Sequence, residues 1–416
     1  MIDATFSQCP APLNMNDPEQ RKDPYPVYRW YRENDPVHLL PHSISGDIPR
    51  YMLTRWDDVM SGLKNLKLRM EVHKGALWNR QMENVDSEFQ AYASILRTWP
   101  LFRDPPNHAE ARRPVNRILD EAMTEAARPL ISGAVEFTLD RCEFSSGWQD
   151  LVQDFTNIVP LETGRRLFGL QSVEPQTLSS WLQSTGLAVG NVFNRDRIRA
   201  ANESILHLQL HLGRVVAECR EGRADAPMVT RILEMEANGL LEDAQVVPVC
   251  ILLLQAAQDS VIGLLGSGVI TFLRNPDQLA WSLEHDDGFN LAVDEVIRFE
   301  SPVQQITRHA AEVVQIRDKI VQPGEGVSFL LGAANRDPEI FESPDEFVVN
   351  RPKGRTAAFG HGPHMCPGIE LGKEIASAGW AGLFRRYPRL EHDEAGATWR
   401  PSATFRILAT LPVRAV

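Results

Sequence analysis

Ala357–Ile375 reads AAFGHGPHMCPGIELGKEI, and the reading of its single cysteine decides the fold. Gly360, Gly362 and Gly368 surround Cys366, and Pro367 follows at what would be the first helical position, where a missing N–H costs little. Cys366 is thereby predicted at a helix N-terminus, whose partial positive charge and free backbone N–H groups stabilise a thiolate. The glycines let a flat macrocycle approach the backbone closely, which suits a haem-iron axial ligand. Two other readings compete: an inert buried cysteine in a glycine-rich turn, and the nucleophile of a cysteine hydrolase built on Cys366 and His364. The hydrolase is disfavoured by geometry, because residues two apart near a helix start do not give the usual nucleophile–base arrangement.

Phe359, Gly362, Cys366 and Gly368 stand at set spacing, with His364 two residues before the cysteine. This pattern resembles the haem-binding signature of the cytochrome P450 family, and the resemblance extends upstream. Glu295-Val-Ile-Arg298 occupies the place of the family's Glu-x-x-Arg. Residues at i and i+3 share a helix face and can pair, and the resemblance implies that they clamp the segment before the cysteine loop. Leu101–Arg117, LFRDPPNHAEARRPVNR, is similar to the family's DPPxHxxxR segment. His108 and Arg112 lie one turn apart on one face, a geometry that lets both donate to haem propionates, and the resemblance adds Arg308 and His364 to that set. SPVQ (Ser301–Gln304), LLGAANRDPEIF (Leu330–Phe341) and WRPSATFRILATLPVR (Trp399–Arg414) extend the match from about Asp23 to the C-terminus.

A continuous central helix is predicted over residues 244–273. Leu252, Gln255, Ala256, Asp259, Ser260 and Gly263 share one of its faces. Small Ala256 and Ala257 leave room for dioxygen there. By resemblance, Asp259 and Ser260 are the acid–alcohol pair that relays protons. Two departures matter: Ala257 stands where the family usually has glycine, and Ser260 where it usually has threonine. Serine keeps the donor and loses the methyl that restricts its rotamer.

The 416 residues, 43% hydrophobic and 24% charged, exclude a disordered chain and a small disulfide-stapled scaffold. With 43 basic against 55 acidic residues the net charge is −12, a field that repels nucleic acid and anionic lipid. Five scattered cysteines, without CxxC spacing, point to neither a disulfide framework nor zinc, and fit a reducing cytosol. No signal-peptide pattern opens the sequence, so a cytoplasmic protein is expected. Val246–Leu273 is apolar over the length of a bilayer span of about 20 residues, yet Gln255, Gln258 and Asp259 in its middle favour a buried helix over a membrane span.

Without repeats or a clear linker, residues 1–416 read as a single haem-binding domain, with 1–22 an extended N-terminal segment. The predicted fold is mainly α with small peripheral β-sheets, a cytochrome P450 fold with haem between a long central helix and the cysteine loop. Helices are expected at 25–34 and 57–65, then through 110–300. Strands are expected at 37–38, 51–54, 313–316 and 327–331, with a terminal strand pair around 406–413 and a helix at 367–386.

The resemblance implies haem b and a monooxygenase that hydroxylates or epoxidises a small organic molecule, in natural-product or specialised metabolism. Electrons come from NAD(P)H through a ferredoxin reductase and ferredoxin, docking on a basic face of Arg112, Arg113, Arg117, Lys353, Arg355 and Lys373. Substrate contacts fall on Leu252, Gln255, Ala256, Val303 and Phe405. Aromatic walls of Trp78, Phe89, Tyr92, Trp99, Trp181 and Phe193 favour an aromatic substrate. The alternatives are an oxidase that couples aromatic groups through C–C or C–O bonds without oxygen insertion, and a non-catalytic haem-binding sensor.

Overall fold

The computed structural model describes residues 12–41, 48–70, 89–189, 194–352 and 354–416. Apolar periodicity dominates the middle of the chain, and helices follow it: Asn107–Ile118, Glu121–Leu139, Ile158–Leu167, Pro175–Val189, Arg195–Arg220 and Pro227–Ala237 lead to the central pair. Their inward faces form one large apolar core with Gly288–Glu300 and Ile369–Arg386. At its centre Phe272 meets Phe289, Phe347, Trp380 and Phe384 edge to face, at centroid distances of 5.5–5.7 Å. Trp380 donates its indole N–H to the Leu265 carbonyl at 3.0 Å. The indole lies flat on the backbone at Gly268, where a Cβ would fall 2.1 Å from the ring, so only glycine permits this contact.

The predicted strands at 37–38, 51–54 and 327–331 join a five-stranded sheet in the order Val37–Leu40, Arg50–Leu53, Gly326–Leu330, Gln305–Ala310, Leu68–Arg69, whereas the one at 313–316 forms a separate hairpin, Val314–Ile316 with Lys319–Val321. Arg50–Leu53 runs parallel to Gly326–Leu330, and the other pairings are antiparallel. Gln305–Ala310 was not foreseen as a strand, because QITRHA mixes charges into a short run. It is held by partners on both sides rather than by propensity.

Three boundaries differ from expectation. The strands at Leu408–Thr410 and Pro412–Ala415 do not pair with each other. The first pairs with Thr398–Trp399, the second with Gln149–Asp150 and Leu390–His392. Helix 369–386 begins after Gly368, so Pro367 precedes the helix instead of opening it. The central apolar stretch is two helices, Asp243–Ala256 and Asp259–Arg274, parted at Ala257 and Gln258. Gln258 has ψ −83°, and the Ser260 hydroxyl donates to the Ala256 carbonyl at 3.2 Å, the back-bonding that bends helices. The most apolar window of this stretch has a mean hydropathy of 1.7 and is 72% buried inside the protein, as a core helix is.

Candidate active site

Cys366 lies on the turn that the glycines shape. Its N–H donates to the Phe359 carbonyl at 2.9 Å, closing a loop over Gly360 and Gly362, both left-handed at φ 69° and 73°. A Cβ on Gly362 would lie 2.8 Å from the Leu63 carbonyl oxygen, which fixes that position as glycine twice over. Burial pushes the Cys366 thiol up, against the opposing pull of the Gly368 N–H and the Arg112 guanidinium. The thiolate expected at the helix start is therefore not favoured by the protein alone, because Gly368 moves the helix end away and burial outweighs two donors. A bound cation is what holds such a sulfur deprotonated.

Beside this turn, donors converge. The rings of His108 and His364 are 4.2 Å apart, His364 Nε2 is 3.8 Å from Asp104, and Arg308 reaches the Met70 sulfur at 2.8 Å. Arg112 donates to the Met365 carbonyl and, at 2.6 Å, to Asn116. Burial, with the nearby His364 and Arg112, lowers His108 to about 4, and burial lowers Arg308 to about 10. His108 Nε2 is buried with no hydrogen-bond partner among the described residues. So the sequence-predicted donors do come together, with Asp104 as an unforeseen carboxylate in their midst.

Glu295 and Arg298 form a buried bidentate pair at 2.7 and 2.8 Å. Arg298 also donates to the carbonyls of Asn335, Pro344 and Glu346. Glu295 accepts from the Val348 N–H and from Arg351 at 3.1 Å. Sequence reasoning missed Arg351 and Asn335. Asn335 Oδ1 takes the Ala357 N–H at 2.7 Å and the Thr356 hydroxyl, while its amide reaches Ser301. An arginine in a proline-rich coil between the helix and the cysteine loop was the available signal.

On the central helices Ala256 is exposed, and Gln255, Ala257, Asp259 and Ser260 are half-buried, with buried residues before and after them. Burial raises the Asp259 carboxyl, with Arg400 pulling the other way. Gln255 and Asp259 both border Gly186 of helix Pro175–Val189: a Cβ there would lie 3.0 Å from Gln255 Nε2 and 3.4 Å from Asp259 Oδ2. Gln255 Oε1 is buried without a partner among the described residues. Val303 and Phe405 face each other as an isolated antiparallel bridge, and Leu252 is packed in the large core.

A family model for cytochrome P450 matches residues 289–408, the span holding the clamp and the cysteine turn. The chain is 30% identical over 399 residues to "Cytochrome P450 107B1" of Saccharopolyspora erythraea, covering 94% of this chain and 95% of that protein. The chain is a cytochrome P450. It is also 27% identical over 403 residues to 6-deoxyerythronolide B hydroxylase of the same organism, covering 94% of this chain and 96% of that one. Among solved structures, P450BioI bound to an acyl carrier protein ligated with hexadec-9Z-enoic acid is similar, with TM-score 0.82, 25% identity and coverage of 96% and 99%. The P450 is accordingly a haem-iron monooxygenase, an oxidoreductase acting on a small organic molecule. Its residues fit that cofactor: His108 Nε2 is buried without a partner among the described residues, burial lowers the pKa of Arg308 and Arg112, and the glycine turn offers sulfur on a flat approach.

Other expected contacts of the P450 fall elsewhere. Phe89, Tyr92 and Trp99 are core residues at 3%, 1% and 2% exposure, because helix Gln90–Thr98 turns them inward. Trp181 stacks on His207, with ring centroids 5.1 Å apart. Trp78 and Phe193 lie outside the described residues, as does Lys353. Of the basic face, Lys373 is paired with Asp294 at 2.6 Å and Arg112 is committed to Met365 and Asn116, whereas Arg113, Arg117 and Arg355 are exposed.

Proposed function

We propose that residues 1–416 act as one haem-binding oxygenase domain in which Cys366 is the axial ligand of haem b. His108, Arg112, Arg308 and His364 take its propionates, and Phe359, Gly368 and Ala256 border it. The observation that carries this reading is the convergence of His108, whose Nε2 is buried without a partner among the described residues, with the desolvated Arg308 beside the glycine turn of Cys366. When bound, haem supplies the iron chemistry that activates dioxygen and puts one oxygen atom into the substrate. The chain's own part is threefold. The clamp of Glu295, Arg298, Arg351 and Asn335 holds the cysteine loop in place. Gln255 offers a buried acceptor that orients one polar group of the substrate, with Leu252, Ala256, Val303 and Phe405 as apolar surroundings. Asp259 takes protons from the solvent side, and the Ser260 hydroxyl hands them into the pocket.

The proposed reaction is hydroxylation or epoxidation in specialised metabolism, in the cytoplasm, with electrons from NAD(P)H through a ferredoxin and its reductase. Arg113, Arg117 and Arg355 supply exposed positive charge for an acidic electron donor. The decisive test is the absorption spectrum of the reduced protein under carbon monoxide. The strongly red-shifted Soret band of thiolate ligation is expected, and C366A is expected to lose both that band and turnover. A histidine-type spectrum overturns the assignment of Cys366.

One observation favours a second reading. The Ser260 hydroxyl is turned onto the Ala256 carbonyl, which competes with proton delivery and suits oxidative coupling of aromatic groups without oxygen insertion. Turnover under labelled dioxygen separates the two, because coupling leaves no label in the product.

A further inference from the structure

The two ends of the chain meet at a cavity of about 20 Å³, lined by Arg21 of the N-terminal helix Pro18–Lys22, by Gln304, and by Trp399, Arg400, Ser402 and Arg406 of the C-terminal hairpin. That volume suits a single particle the size of a water or a halide. Arg406 joins the two ends at this place, donating to the Arg21 and Lys22 carbonyls at 2.8 and 3.0 Å and to the buried Glu300 carboxylate at 2.6 Å. Its charge is thereby balanced. Arg21 and Arg400 are half-buried and have no such balance: neither forms an ion pair among the described residues, and the Arg400 guanidinium donates to the neutral Asn157 Oδ1 at 3.2 Å. Two donors are unused as well. Trp399 is 7% exposed and its Nε1–H has no partner among the described residues, and the same holds for the buried Arg21 Nε–H. Gln304 is the neutral group of the lining: its Nε2 donates to the Glu300 and Ser301 carbonyls at 2.9 and 2.7 Å. Its Oε1, also without a partner among the described residues, is pressed against Gly332, 2.6 Å from where a Cβ would stand. The cavity therefore carries a surplus of donors and of positive charge, on a chain whose net charge is −12.

We propose that this cavity is a binding site for one small monovalent anion of halide size, which accepts from the Trp399 Nε1–H and the Arg21 Nε–H and lies in the field of Arg21 and Arg400. A water could take the same two donors, but it leaves both half-buried cations uncompensated, and hydrogen bonds to an ionised acceptor are about twice as strong as neutral ones. The anion adds a second link between the N-terminal helix and the hairpin, beside the one Arg406 makes. The hairpin itself is bonded to the chain before strand Gln305–Ala310 on both sides of Phe405: the Gln304 N–H donates to the Thr404 carbonyl at 2.7 Å, and the Arg406 N–H to the Pro302 carbonyl at 2.9 Å. Halide binding thus steadies the joint that closes the chain's two ends. Its effect runs opposite to the screening by which salt weakens exposed ion pairs, because a ligand held by the folded state alone stabilises that state.

The test is a crystal structure of the haem-loaded protein grown in sodium bromide, read with the anomalous signal of bromine, beside thermal denaturation in chloride and in gluconate at equal ionic strength. A bromine peak within hydrogen-bond distance of Trp399 Nε1 and Arg21 Nε is expected. Chloride is expected to raise the wild-type midpoint by about 2 °C over gluconate, the size produced by one ligand at roughly ten times its Kd on a chain of this length. W399F keeps an aromatic ring under Arg406 and removes the N–H, and it is expected to lose both the peak and the chloride difference. R21M, at the edge of the protein, removes the other donor and its charge, is expected to do the same, and decides the matter if W399F does not fold. No peak in the cavity overturns the proposal, as does a peak without anomalous signal, which makes the occupant water. A bromine peak without chloride stabilisation marks an adventitious ion only and overturns it too. So does a chloride effect that persists in both variants, because its cause then lies elsewhere in the protein.

Discussion

On the cysteine side of the molecule, Arg298 makes five hydrogen bonds, and Glu295 accepts from Arg298, Arg351 and the Val348 N–H. Across the pocket, Gln255 Oε1 has no partner among the described residues, Ser260 turns to its own helix, and the central helix breaks at Ala257 and Gln258. The first region is over-determined: no member can move without stranding a buried charge. The second is held by apolar packing and leaves the Gln255 acceptor uncommitted. The contrast teaches where the fold spends its specificity, since a ligand held in one fixed place needs a rigid cradle, whereas a substrate and moving protons need groups with bonds to spare.

The sharpest way to break this comparison is to strike the rigid side. R298A leaves the Glu295 carboxylate buried at 4% residue exposure beside one remaining arginine. Removing one partner of such a pair costs about 3–5 kcal/mol. The expected outcome is loss of most folded, haem-loaded protein, followed by urea denaturation and the carbon monoxide spectrum together. A variant of unchanged stability shows the clamp to be ornamental. On the open side the expected effect is functional instead. D259N should keep wild-type stability to within about 0.5 kcal/mol, because Asp259 makes no ion pair among the described residues. Its product yield per NAD(P)H should fall by about 10²-fold, the lower range for loss of a positioned acid. Equal coupling in D259N and wild type removes the acid from the reaction.

The same contrast explains what was legible in the sequence. Cys366 with its glycines, the Glu295–Arg298 spacing and the His108–Arg112 turn were readable because backbone geometry and buried charge restrict which residues can stand there. Arg351 and Asn335 were missed because their partners lie 56 and 22 residues away, across a coil with no period to read. The continuous helix over 244–273 was a natural reading of apolar runs, and its break follows from a serine hydroxyl that takes a helix carbonyl, which no hydrophobic pattern records. Phe89, Tyr92 and Trp99 were assigned to the pocket although the aromatic residues of an amphipathic helix serve its core equally well, and here they do.

His108 tests the boundary between the two regions. Its folded-state value of about 4 lies below its ordinary 6.5. Between those values the unfolded chain binds a proton that the folded chain refuses, so the haem-free protein loses stability as pH falls through that window. H108Q should flatten this part of the profile. Haem should flatten it as well, because a propionate paired with His108 raises its pKa and removes the penalty. Denaturation midpoints at pH 7 and pH 4.5, with and without haem, provide the check. A wild-type profile that H108Q does not alter shows that His108 is already paired in the haem-free protein.

The smallest expected effect belongs to Gln255. An acceptor buried without a partner is a cost that the resting fold carries, on the order of 1 kcal/mol, and that a suitable ligand recovers. Q255L removes the acceptor at similar volume, so the resting protein should be as stable as the wild type or slightly more so. Substrates or surrogates bearing a hydroxyl or N–H should then bind about tenfold more weakly, the equivalent of about 1.4 kcal/mol, while purely apolar ones keep their affinity. Spectral titration of matched hydroxylated and deoxygenated surrogates reads this difference directly. If both weaken equally, Gln255 acts by shape alone, and the uncommitted acceptor belongs to the packing against Gly186 rather than to recognition.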